Sequence, residues 1–185
     1  MTDKLTRYQT VWAAVRHHYL TGSCVSERGL QTFLCWELMK EFPESRVVVE
    51  PDWKGHDRHY IPDVVMIEGG LISDVFEIKF VPHSYPKYKN DIEKLVAYRD
   101  WQRTFPVAID PATGKWEEPC TMSKSLRIHF AVVGKHDAHA VSTSSVLQEV
   151  ERVAGRGSRF FHWYGQVGVR SPSSRDWDVI SGGSC

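Results

Sequence analysis

The run IPDVVMIEGGLISDVFEIKF, residues 61 to 80, constrains the fold more than any other part of the chain. Two apolar, β-branched stretches flank Gly69-Gly70, a pair suited to the positive φ angles of a two-residue hairpin turn. Both stretches are apolar at successive positions, the pattern of strands covered on both faces. Asp63, Glu77 and Lys79 interrupt them. Charges in such strands need compensation, so the hairpin and its charges call for one explanation.

Side chains alternate along a strand, which puts Glu77 and Lys79 on one side with Val75 and Val81, and Phe76, Ile78 and Phe80 on the other. Antiparallel pairing about the turn sets Asp63 opposite a residue between Phe76 and Lys79. Two carboxylates then lie on neighbouring strands, roughly 5–8 Å apart at the backbone. That arrangement suits a hard divalent cation, because magnesium takes oxygen ligands and uses one or two carboxylates plus waters and substrate phosphate. The backbone carbonyl of Ile78 offers a further oxygen. Lys79, one step beyond Glu77, could orient or help deprotonate a water and offset phosphate charge. Pro62 interrupts regular pairing just before Asp63 and opens the sheet there. A Glu-x-Lys pair alone reads as a solvated face with a weak ion pair; the apolar strands around this one argue for more.

The remaining periodicities supply a frame. Residues 4 to 20 carry Leu5, Tyr8, Val11, Trp12, Val15 and Tyr19 at helical spacing. Residues 26 to 42 do the same with Leu30, Phe33, Leu34, Leu38 and Phe42, opened by Ser26 as N-cap and closed before Pro43. Strands are expected at 46–53, 63–68, 74–81, 126–134 and 159–169, and helices at 89–103 and 144–155. A polar loop follows the first strand, a long loop or insertion spans 105–125, and the tail from 171 to 185 is expected to fray.

Helix, three-strand meander, helix, strand, with Pro62-Asp63 opening the second strand and Glu77-Ile78-Lys79 in the third, resembles the PD-(D/E)XK nuclease superfamily, the restriction-endonuclease-like fold. Thirteen residues separate the two acids, and the resemblance covers about residues 24 to 134. Ser26, Glu27, Leu30 and Leu34 are similar to the S-E-x-x-L-x-x-x-L pattern of the first core helix in members resembling Holliday-junction resolvases. The resemblance implies an α/β fold with an αβββαβ core, a central mixed sheet flanked by helices, and one extra N-terminal helix, in a single domain over 1–170. It implies a magnesium-dependent nuclease, with manganese as a substitute, hydrolysing phosphodiester bonds of nucleic acid, DNA ahead of RNA, in repair, recombination or defence. Asp63, Glu77 and the Ile78 carbonyl would hold the metal, Lys79 would assist the water, and Glu27 would complete the site. Glu27 would reach inward from the apolar stripe of its helix, with Glu37 a competitor on that face. The alternative is a catalytically silent, nuclease-like subunit that binds nucleic acid or protein within a larger complex.

Other features bound the reading. Lys87, Lys89, Lys94, Arg99 and Arg103 are candidate phosphate contacts, and Tyr85, Tyr88 and Tyr98 candidate stacking platforms. No added DNA-reading module is recognisable, which leaves room for a protein partner supplying specificity. The echo His56-Asp57-Arg58-His59 and His136-Asp137-Ala138-His139 offers a rival zinc site if the two loops meet. No nucleophile elbow or Gly-rich phosphate loop is present. The 23 Lys plus Arg balance 23 Asp plus Glu, so a purely electrostatic nucleic-acid binder is disfavoured. Four dispersed cysteines without a C-x-x-C pair speak against a zinc ribbon or a disulfide framework. With no signal-like or membrane-spanning run, the expectation is a cytoplasmic protein of one domain, since 185 residues at 42% hydrophobic bury one good core.

Overall fold

A computed structural model describes residues 3–51, 54–55, 58–59, 61–83, 88–99, 104–105, 112–115, 119–135, 143–154, 159–167 and 177–182. The helices among them are α1 (Lys4–Leu20), α2 (Glu27–Glu41), α3 (Lys89–Arg99) and α4 (Thr143–Ala154). The strands are β1 (Arg46–Val49), β2 (Lys54–Gly55), β3 (Arg58–His59), β4 (Val64–Glu68), β5 (Leu71–Val81), β6 (Thr104–Phe105), β7 (Cys120–Lys135), β8 (Phe160–Val167) and β9 (Trp177–Gly182).

One mixed sheet organises the α/β fold. Its strands run in the order β1-β4-β5-β7-β8-β9, with β6 attached to β7, while β2 and β3 form a separate ladder. The meander β1-β4-β5 is antiparallel, β5, β7 and β8 are parallel, and β9 returns antiparallel to β8. Parallel neighbours cannot be joined by a tight turn, and the two crossovers contain α3 and α4.

Strand alternation splits the interior into two layers. Phe76, Ile78 and Trp163 pack with Tyr8 and Trp12 of α1 and with Leu30, Leu34 and Leu38 of α2. On the other face Val65, Val75, Phe130 and Val132 pack with Ile92 and Leu95 of α3 and with Val146 and Val150 of α4. The Ser26 side chain accepts from the Gly29 N–H at 3.0 Å, so the expected N-cap of α2 is present.

Several expectations need correction. The first strand ends at Val49 rather than 53, because Glu50 adopts a φ of 44°, a left-handed turn that takes the chain off the ladder. The polar loop behind it contains the β2-β3 ladder. The third strand begins at Leu71 rather than 74, since the hairpin closes on Gly69 and Gly70 with φ of 56° and 78°. The presumed loop 105–125 ends early: β7 starts at Cys120, where Thr121 and Met122 extend the parallel pairing to Leu71 and Ile72.

The tail does not simply fray. Residues 177–182 form the edge strand β9, with Trp177 and Val179 buried against α1. Its place depends on Gly165 of β8, where an added Cβ would meet the Trp177 ring at 2.8 Å. Among the described residues no helix is long and apolar enough to cross a membrane. Cys24 and Cys35 are buried and form no disulfide.

Candidate functional site

Val64 pairs with Phe76, which stands Asp63 across from Glu77 and leaves the last residues of β5 running on beyond the start of β4. The Asp63 N–H still donates to the Phe76 carbonyl at 3.1 Å. Past that point the edge amides of β5 take carboxylates in place of a ladder. The Ile78 N–H donates to Oδ2 of Asp63 at 2.5 Å, and the Phe80 N–H donates to Oε2 of Glu27 at 3.2 Å. Backbone donors leave few such places unfilled, and here two acids fill successive ones. Gln31 of α2 fixes the turn, its Nε2 donating to the Asp63 carbonyl at 2.9 Å and to Oε1 of Glu50 at 3.3 Å.

Glu27 therefore belongs to the cluster, but not as an inward member of the apolar stripe. It is exposed at the first position of α2, while Leu30, Leu34 and Leu38 are fully buried. Glu37 lies elsewhere, held by His18 at 3.0 Å and Lys40 at 2.9 Å.

Glu77 points toward α3, and two lysines take its two oxygens. Lys79 Nζ lies 3.4 Å from Oε1 and Lys94 Nζ 2.7 Å from Oε2. Lys79 also reaches Oδ1 of Asp91 at 3.5 Å, and Lys94 donates to the Ile61 carbonyl at 2.7 Å. Burial, and then the neighbouring charge of Glu77, pushes the Asp63 carboxyl up to about 7. Burial likewise raises Glu77, against the pull of Lys94 and Lys79. For Lys79 burial works downward, but Glu77, Asp91, Glu27 and Asp63 outweigh it and hold the group as an ammonium. Lys79 is thus a donor and a positive charge at neutral pH; a base would need the free amine.

Of the α3 members of the site, Lys94 is expected from sequence only as a phosphate contact beside it, and Asp91 is not expected at all. Their three-residue spacing put both on one helix face, but nothing in the sequence said that this face meets Glu77. Tyr98 corrects a second expectation: its ring is fully buried in the α3 layer and presents no platform for a base. Lys87, Arg103 and Tyr85 lie outside the described residues, as do His56-Asp57 and the whole second H-D-x-H cluster.

A second set of polar groups, also missed, lies in the other layer. Asp74 is fully buried. Arg127 donates to it through Nε and Nη2, both at 2.7 Å, and Tyr8 and Ser73 hydroxyls donate at 2.5 and 2.6 Å. His129 Nε2 lies 2.8 Å from Oδ1 of Asp74, and the Trp163 indole N–H donates to His129 Nδ1 at 3.0 Å. A ring that accepts at Nδ1 and donates at Nε2 is neutral, in keeping with the downward push of burial on His129. Burial alone would raise the Asp74 carboxyl, but hydrogen bonds from His129 and Arg127 hold it far below the usual range. With Asp74, His129 and Tyr8 fully buried, Arg127 half-buried beside them and every member paired, this network is structural.

The donor chemistry of the first cluster fits a hard cation. Asp63 and Glu77 are adjacent, partly desolvated carboxylates whose neighbours must supply positive charge, whereas the Ile78 group that meets Asp63 is its N–H, a donor and not a metal ligand. The set is small. Among the described residues no group of three or more His, Cys, Asp or Glu side chains is arranged to hold a metal, whereas magnesium needs only one or two carboxylates and keeps waters.

A scan against protein-family models gives no match. Searches of curated proteins and of solved structures give none either.

Proposed function

We propose that the chain is a magnesium-dependent nuclease of restriction-endonuclease-like architecture, hydrolysing phosphodiester bonds of nucleic acid, with DNA the preferred class. One observation carries the reading: Asp63, Glu77 and Lys79 meet at the open end of the β4-β5 hairpin, with Glu27 on the adjoining edge amide. The order α2-β1-β4-β5-α3-β7, an αβββαβ succession, supports the resemblance drawn from the motifs.

Asp63 and Glu77 would hold the metal, with the Ile78 peptide beside them. A bound magnesium ion supplies Lewis acidity, making water a better nucleophile and neutralising charge on the phosphate. Lys79 donates from its ammonium to a phosphate oxygen or to the incoming water and balances the charge that builds up. Asp91 steadies Lys79 from the helix side. Glu27 anchors the Phe80 amide, holding the end of β5 in place and adding negative charge near Lys79.

The test is a cleavage panel of single- and double-stranded DNA and RNA with magnesium, manganese or EDTA, run on the wild type and on an Asp63→Ala/Lys79→Ala double variant shown to be folded. Metal-dependent cleavage by the wild type and its loss in the variant are expected. Full cleavage by the folded double variant refutes the assignment. The rival reading, a binding-only subunit, predicts no cleavage by either protein.

A further inference from the structure

Lys94 sits where a cation would. Its ammonium lies 2.7 Å from a Glu77 carboxylate oxygen and 2.7 Å from the Ile61 carbonyl, one oxygen from each of the two motif-bearing segments. Its charge also reaches Asp63, where it opposes the effects of burial and of Glu77. The Glu77 oxygen it occupies belongs to a side chain only 5% exposed, with its other oxygen facing Lys79. Both Glu77 oxygens thus face an ammonium, Lys94 at the shorter distance.

We propose that Lys94 is a built-in placeholder cation, which holds the paired acids together before the metal arrives and must leave Glu77 for a divalent ion to bind. The proposal rests on the nuclease reading above and adds a residue that sets its metal affinity. Oxygen donors that suit an ammonium also suit a hard divalent cation, and repulsion between the two positive charges makes an ammonium 2.7 Å from Glu77 a competitor for that carboxylate. The lysine stem rises from α3, whose Ile92, Leu95 and Val96 are packed on the sheet, so the helix stays while the flexible side chain swings away. Lys79 makes the longer contact to Glu77 and has Asp91 as a second partner, so it stays with the site. Each divalent ion bound therefore displaces one ammonium. The exchange makes metal binding weaker than the two carboxylates alone would give.

The experiment is a manganese titration at pH 8, followed calorimetrically, on the wild type, Lys94→Met, Glu77→Gln and the surface control Lys124→Met. Lys94→Met should bind manganese about tenfold more tightly than the wild type, Lys124→Met like the wild type, and Glu77→Gln not at all. Wild-type binding that Glu77→Gln abolishes, with no tightening in Lys94→Met, overturns the placeholder role and leaves the metal site standing. No binding by any form overturns both. Should Lys94→Met not fold, the wild type decides: the Lys94 Nζ signal in a 15N NMR spectrum, protected in EDTA, should disappear or shift on saturation with magnesium. An unchanged signal overturns the proposal.

Discussion

The Ile78 amide donates to Oδ2 of Asp63 across 2.5 Å, so a carboxylate occupies the place on the β5 edge that a β4 carbonyl would otherwise take. Asp63 thus has a structural duty beside its proposed chemical one. Substitutions at this position can separate the two.

Asp63→Asn keeps an oxygen for the Ile78 amide and removes the charge. In the folded chain the Asp63 carboxyl is pushed up to about 7, above the value of about 3.9 for an unperturbed aspartate. Between those values the native state holds a proton that the unfolded chain has lost, so this group's contribution to stability falls as pH rises through the interval. The variant should melt higher than the wild type at pH 8 in EDTA, by about 2–4 °C for roughly 1 kcal/mol, and equally at pH 4. Parallel pH dependences for the two proteins would contradict the assignment.

On the nuclease reading proposed above, metal uptake needs an ionised Asp63, so kcat/KM at subsaturating magnesium should rise as pH passes about 7. Lys79 is held above its ordinary range by its acidic neighbours and stays charged across the working window. No second rise should follow above pH 9, and Lys79→Met should cost about 100-fold or more in kcat. A limb rising at high pH and lost in Lys79→Met would identify the lysine as a base instead.

Asp74→Ala strips the buried His129 and Tyr8 and the half-buried Arg127 of their common acceptor. Breaking a buried pair from one side leaves a charge without compensation, at a cost of about 3–5 kcal/mol. Denaturant unfolding should show that loss. Glu77 faces the opposite layer, so manganese affinity of the folded fraction should stay within about twofold, a factor worth roughly 0.4 kcal/mol.

Gly165→Ala drives a methyl group into the Trp177 ring, 2.8 Å away. Overpacking of this kind costs about 1–3 kcal/mol. Proteolysis should then cut first around β9, since an edge strand has a ladder on one side only. Unaltered stability would mean that Trp177 packs differently.

How much of this is legible beforehand depends on whether the signal is local. The Gly69-Gly70 hairpin and the N-cap at Ser26 are written in adjacent residues, and both appear. The meeting of Asp63 with Glu77 follows from register alone, because Val64 pairs with Phe76. Lys94 and Asp91 are different: their role depends on how α3 lies across the sheet, a tertiary fact that helical spacing does not encode. Asp74 passes unremarked in a strand full of hydrophobic residues, since its partners Tyr8 and Arg127 are 66 and 53 positions away. β9 is masked by its serine- and glycine-rich surroundings, although Trp177 and Val179 already alternate as strand residues do.

The Trp12 and Trp177 rings, 5.2 Å apart, join the first helix to the last strand, and Gln9 reaches the Val179 carbonyl at 3.3 Å. Until residues 177–182 are in place, the side of α1 that carries Trp12 lacks the cover that Trp177 and Val179 give it, so the two ends of the described fold must come together for the core to close.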